Sequence, residues 1–167
     1  MNKENCFLPL KQKAEGLVDF VQWSIQQDLP WGKHFGFDAQ PLSEYWIEEE
    51  PALKVVHTCC PIKQLGLLRV PGDSMYDWHT DEYRQSCLNL LISENHHSHT
   101  LFGVQRDHIN KDIYELKYEP RTYYLFNNQV DHCVINLDSP RYLVSLYFET
   151  ETPYQELKKL FTQKNIC

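Results

Sequence analysis

Residues 113–148 read IYELKYEPRTYYLFNNQVDHCVINLDSPRYLVSLYF, and this stretch decides the fold class. It holds four short runs, Ile113 to Tyr118, Thr122 to Phe126, His132 to Leu137 and Tyr142 to Phe148, rich in β-branched, aromatic and aliphatic residues. Between them stand Glu119-Pro120-Arg121, Asn127-Asn128-Gln129 and Asp138-Ser139-Pro140. Runs of this length between Pro, Asn, Asp and Ser read as strands: branched and aromatic side chains pack well on a pleated surface, and turn residues end it.

The same pattern recurs upstream at Lys54 to Cys60, Gly66 to Val70, Ser86 to Ile92 and Thr100 to Gln105. Eight short strands with no helices between them predict a mainly β fold, a double-stranded β-helix (jelly roll, cupin-like), rather than a βαβ sheet. Helical signals lie at the two ends. From Lys11 to Gln27, Leu17, Val18, Phe20, Val21, Trp23 and Ile25 form a dense apolar face that Asp28-Leu29-Pro30 ends. Near the other end, Thr152-Pro153-Tyr154-Gln155 predicts a capped start with Pro at the first helical position, leading to a helix that ends about Lys164 and turns Leu157, Leu160 and Phe161 inward. No repeat or linker divides the chain, so a single domain over 1–167 with a core at about 52–150 is expected, with 30–51 as an irregular connection.

Composition agrees with one enzyme-sized domain. Hydrophobic residues make up 42% and aromatics 13%, enough core material to exclude global disorder. The 16 Lys and Arg against 23 Asp and Glu leave a net charge of −7, which argues against a nucleic-acid partner. Residues 1–10 hold no apolar stretch behind a basic segment, and no apolar run is long enough to span a bilayer, so no membrane association is expected. The six cysteines show no CxxC pair and no framework spacing, which makes a reducing cytoplasm the expected location.

Four polar residues carry the chemistry: His79 and Asp81 in Trp78-His79-Thr80-Asp81, then His132, then Arg141. In an extended segment, residues two apart share a side, so His79 and Asp81 can bind one ion while Thr80 points away. His132, opening a late strand, can arrive opposite them. Two imidazoles and a carboxylate hold one face of iron(II) and leave the opposite positions open for a bidentate cosubstrate and oxygen. Arg141, nine residues beyond His132, would anchor the far carboxylate of that cosubstrate through its planar fork. Asn89 could touch the same molecule. His96, His97 and His99 form the densest His cluster, yet they follow Ser93-Glu94-Asn95 and read as a solvated turn. His34, His57 and His108 lack partners at ligand spacing.

With these residues in view, the chain resembles the iron(II)- and 2-oxoglutarate-dependent oxygenases over roughly 72–148. The run Phe126-Asn127-Asn128-Gln129-Val130-Asp131-His132-Cys133-Val134-Ile135-Asn136, followed by Arg141, is most similar to the distal half-site of the aspartyl/asparaginyl β-hydroxylase group: Phe, two small polar residues, three more, His, three more, Asn, then Arg. The chain departs from that group in holding Asp81, which its animal members lack, and from the wider superfamily in having Leu143 where a Ser often follows the Arg. Ser145, Tyr147 or Tyr124 would then supply the hydroxyl beside Arg141, and Arg84 would hold a substrate carboxylate or pair with Glu82 or Asp81.

The resemblance implies a dioxygenase that binds iron(II) through His79, Asp81 and His132 and binds 2-oxoglutarate through Arg141, with Asn89, Ser145 and Tyr124 as further contacts. Such an enzyme splits the cosubstrate to succinate and carbon dioxide and hydroxylates a C–H bond, here of an Asp- or Asn-type peptidyl or free amino acid. Two alternatives keep the metal without this reaction: a jelly-roll binding module, and another cupin-type metalloenzyme in which Arg141 is structural.

Overall fold

The computed structural model describes residues 2–93 and 97–167. Strand β1 (Phe7–Lys13) leads into helix α1 (Gly16–Ser24). The hairpin of β2 (Gly32–His34) and β3 (Phe37–Leu42) follows, then α2 (Tyr45–Glu49) and α3 (Pro51–Cys59). Next come β4 (Ile62–Val70), β5 (Ser74–His79), β6 (Ser86–Leu91), β7 (Ser98–Gln105), β8 (Lys111–Leu116), β9 (Thr122–Asn127), β10 (Asp131–Asn136) and β11 (Arg141–Phe148), and α4 (Tyr154–Gln163) ends the series. The strands form two antiparallel sheets, a larger one in the order β1-β9-β6-β11-β4-β3-β2 and a smaller one in the order β5-β10-β7-β8. This is the expected double-sheet jelly roll.

Alternation along the strands of the larger sheet gives it two buried faces. Leu88 and Leu90, Tyr123 and Leu125, Val144 and Leu146, and Leu65 and Leu67 share a core with Leu17, Val18 and Val21 of α1, Leu53 and Val56 of α3, and Leu157 and Phe161 of α4. Each such side chain contributes about 1.5–3 kcal/mol on burial, so this helix-backed face carries most of the stability. The residues between them face the smaller sheet. Cys87, Tyr124 and Phe126 pack with Phe7, Phe102, Val104 and Leu116 there, and Phe102 meets Phe126 at a ring-centre distance of 5.2 Å.

The structure corrects four sequence expectations. Lys54 to Cys60 is helical, within α3: Pro51 starts the helix, and Ala52, Leu53 and Val56 fall on one face against the larger sheet, overriding the β-branched run around Val55. The N-terminal helix covers only Gly16–Ser24, because β1 takes the residues before it and pairs with β9 at the sheet edge. Pro9 is tolerated there, since an edge strand can spare one N–H. The connection at 30–51 is ordered, as β2, β3 and α2. Its last residue before α3, Glu50, is fully buried, and its carboxylate accepts the N–H groups of Glu15 at 2.7 Å and Leu17 at 2.9 Å, capping α1 from a distant part of the chain. Finally, Pro153 rather than Thr152 stands at the cap of α4, and the Thr152 hydroxyl donates instead to Thr150 O at 3.3 Å.

Candidate metal and anion site

His79 ends β5 and His132 is the second residue of β10, and the two stand directly opposite each other across that antiparallel pair. A bulge makes this possible. Val134 pairs with Tyr76, so three residues of β5 span what two span on β10, and Tyr76 and His79 both turn toward the larger sheet. The Trp78 ring packs on Gly103, where a Cβ would come within 3.1 Å of it. Asp81 lies two residues past β5, and its N–H donates to Asn128 O at 2.9 Å.

One nitrogen of each imidazole and one oxygen of Asp81 lie within 4.8 Å of one another. Asp81 Oδ1 is 3.6 Å from His79 Nε2 and 3.8 Å from His132 Nε2. The other ring nitrogens are engaged: His79 Nδ1 donates to Asp77 O at 2.6 Å and His132 Nδ1 to Val130 O at 2.8 Å. With Nδ1 protonated, each ring presents the Nε2 lone pair to the shared centre, the tautomer a metal ligand needs. Burial pushes the His132 pKa down and so favours the neutral, ligating form. Ring packing fixes both orientations, with Tyr76 edge-on to His79 at 4.3 Å and Phe102 stacked on His132 at 5.7 Å.

A cavity of about 550 Å³ between the sheets joins these residues to Arg141, Thr100, Tyr118, Asn89 and Ser145. Arg141 opens β11 and is 2% exposed. Its Nη2 donates to Thr100 Oγ1 at 2.8 Å, and its Cζ stands 5.5 Å from the Tyr118 ring centre, but its Nε–H has no partner among the described residues. No carboxylate among the described residues pairs with this guanidinium, and burial lowers its pKa. Arg141 lines the cavity, and a buried cation with an idle donor is costly unless an anion arrives. The donor set and Arg141 therefore fit a divalent ion of the iron(II) class and a dicarboxylate beside it.

The other candidates separate. Asn89 is buried on β6 beside Ser145, lines the cavity and has an unpartnered Oδ1. The Ser145 hydroxyl is taken by Arg84, whose Nη1 donates to it at 2.9 Å. Arg84 Nε also donates to Asp81 Oδ2 at 2.8 Å, so an ion pair with a site carboxylate occupies part of the group expected to hold substrate. Tyr124 shares the inner face but does not line the cavity; its hydroxyl accepts Glu119 N–H at 3.2 Å. Tyr118 is the phenol beside Arg141 instead. His97 pairs with Asp138 and His99 with Glu115, away from the triad, while His96 falls outside the described residues. His57 Nδ1 accepts Ile62 N–H, and His34 lines the cavity mouth.

Thr100 and Tyr118 carry no motif signal in the sequence, whereas Asn128 and Asn136 stand in the His132 motif and take their roles from the structure. Asn128 Nδ2 donates to Asp81 Oδ2 at 2.7 Å. Asn136 Nδ2 donates to Pro71 O at 2.7 Å and Ser139 O at 3.0 Å, fixing the turn from which Arg141 starts. Their spacing in the His132 motif was the available signal.

No family model matches the chain, and no curated protein matches its sequence. Solved structures do. A prolyl-4-hydroxylase of Pseudomonas putida has a TM-score of 0.62 at 12% identity, over 85% of this chain and 91% of that one. A Trichoplax adhaerens prolyl hydroxylase, solved with a hypoxia inducible factor peptide fragment, has a TM-score of 0.61 at 14% identity, over 93% and 87%. HygX of Streptomyces hygroscopicus, solved with nickel, 2-oxoglutarate and hygromycin B, has a TM-score of 0.59 at 12% identity, over 86% and 83%. None of these singles out the aspartyl/asparaginyl subgroup. In its architecture, this chain has the double-stranded β-helix fold of the 2-oxoglutarate- and iron(II)-dependent oxygenases.

Proposed function

We propose that this chain is an iron(II)- and 2-oxoglutarate-dependent dioxygenase that hydroxylates a C–H bond. The observation that carries the reading is one cavity with two poles: three metal-ligand side chains at one, and a buried arginine with an idle Nε–H at the other. His79, Asp81 and His132 would hold the metal, and Arg141, helped by Thr100 and Tyr118, would hold the far carboxylate of the cosubstrate, with Asn89 nearby. Bound there, iron(II) with 2-oxoglutarate and oxygen supplies oxidative decarboxylation to succinate and carbon dioxide coupled to C–H hydroxylation. The protein's own work is orientation and exclusion of water. Backbone carbonyls fix the two imidazoles, Asn128 and Arg84 fix Asp81, and Phe126, Leu143 and Val134 wall the space between the poles.

We further propose that the oxygenase unit spans 1–167 and that its substrate is an Asp- or Asn-type residue, peptidyl or free. The His132-Asn136-Arg141 spacing supports this, and the neighbours solved with a peptide and with hygromycin B are compatible with either size of substrate. No described helix is long and apolar enough to cross a membrane, and all six cysteines are unpaired, which supports a cytoplasmic location. The test is anaerobic addition of iron(II) and then 2-oxoglutarate to metal-free protein, with His132→Ala as control. A visible charge-transfer band that needs both additions and is absent in the variant is expected. Iron binding with no response to 2-oxoglutarate would overturn the reading.

A further inference from the structure

Arg84 is tied into the site more heavily than a substrate-binding side chain needs to be. Nε donates to Asp81 Oδ2 at 2.8 Å, Nη1 donates to Ser145 Oγ on β11 at 2.9 Å, and the guanidinium lies 4.6 Å from the centre of the Tyr147 ring. Gln129 Nε2 donates to the carbonyls of both Asp81 and Arg84, at 2.9 and 3.2 Å, and so fixes the loop between them. Asn128 Nδ2 gives Asp81 Oδ2 its second donor, at 2.7 Å. The two oxygens of Asp81 therefore differ. Oδ2 accepts two strong hydrogen bonds, whereas Oδ1 is the atom that faces both imidazoles.

This asymmetry bears on coordination number. A carboxylate with both oxygens free can grip an ion through both and fill two positions; one with an oxygen held by two donors offers only the other. Three protein atoms, a chelating cosubstrate and oxygen fill an octahedral ion completely, so a second oxygen from Asp81 would displace one of them. We propose that Arg84 is a positioning residue that, together with Asn128, restricts Asp81 to a single ligand oxygen and so keeps open the positions that 2-oxoglutarate chelation requires. The role rests on the oxygenase reading and adds to it. Because Arg84 is anchored on Ser145 and Tyr147, it also ties the Asp81 loop to the strand that carries Arg141.

The test separates metal binding from chelation, without turnover. Under anaerobic conditions, iron(II) affinity is measured by competition with a chromophoric chelator, and 2-oxoglutarate is then titrated into the iron-loaded protein through its visible band. Arg84→Met should keep iron(II) affinity, because all three ligand side chains remain, while weakening 2-oxoglutarate binding by about 10-fold or more, the factor that corresponds to about 1.4 kcal/mol. Arg84→Lys, which can still donate to Oδ2, should recover part of the loss. Ser145→Ala removes one anchor of Arg84 and leaves its ion pair, so it should shift 2-oxoglutarate affinity in the same direction by less. It decides the matter if Arg84→Met does not fold. Unchanged 2-oxoglutarate affinity in the variant, or loss of iron(II) itself, overturns the proposal. A wild-type protein that never responds to 2-oxoglutarate overturns the oxygenase reading instead, before any variant is compared.

Discussion

Replacing Arg141 with Met should move stability and cosubstrate affinity in opposite directions. The guanidinium is 2% exposed, and among the described residues its Nε–H has no acceptor and no carboxylate pairs with it. Effective desolvation of a buried ion costs several kcal/mol. Against that stand one charged hydrogen bond to Thr100, about 1.5–3 kcal/mol, and the contact with the Tyr118 ring, about 0.5–2 kcal/mol. Met fills a similar slender volume with no charge, so the metal-free variant should be neutral to about 2 kcal/mol more stable. For a chain of this size that is a rise in melting temperature of up to roughly 4–8 °C. The same change removes the anion's charge-assisted donor and should weaken 2-oxoglutarate by about 1.5–3 kcal/mol, roughly 10- to 150-fold. Thermal melts in the presence of a chelator give the first quantity, and anaerobic titration of the iron-loaded protein gives the second. A melting temperature that falls by several degrees with cosubstrate affinity intact would refute the reasoning and make Arg141 a structural strut.

Two further outcomes follow from buried groups away from the cavity. Glu50→Ala should destabilise the fold by about 1–3 kcal/mol in urea denaturation, because it leaves the Glu15 and Leu17 N–H groups without their acceptor; wild-type stability in that variant would contradict the capping role. Burial pushes the thiols of Cys6, Cys60 and Cys133 up to about 11, so at pH 8 they are protonated as well as shielded. Iodoacetamide at pH 8 should label them only after unfolding, and rapid labelling of the native protein would contradict their placement.

Seven of the eight expected strands could be read from the sequence because their signal is local: branched and aromatic runs between turn residues, as in Tyr142 to Phe148. Lys54 to Cys60 has the same local signal, but its state is set by the sheet it packs on, which no short window contains. Strand β1 was hidden for a related reason. Pro9 and the basic residues after it argue against a strand anywhere but at an edge, and edge position is a property of the whole sheet. At the site, His79, Asp81, His132 and Arg141 could be named because few side chains suit a metal or a dicarboxylate, and the structure lines one cavity with all four. Tyr118 and Thr100 belong to the other sheet or its following loop, and their approach to Arg141 comes from sheet packing. Ser145 shares a strand with Arg141, yet four residues along a strand is a long way, and it meets Arg84 instead.

The bulge in β5 has an evolutionary consequence. Because Tyr76 and His79 reach the cavity only through one extra residue opposite Cys133, the metal-binding face is written in the length of the strand as well as in its letters. Substitutions at Asp77 or Trp78 leave the phase of the chain intact, whereas deleting either would restore strict alternation and turn His79 or Tyr76 to the outer surface. Descendants of this chain can therefore drift freely in composition here but not in residue number, and a one-residue gap at this point in a related sequence marks loss of the metal site even where both histidines and the aspartate survive.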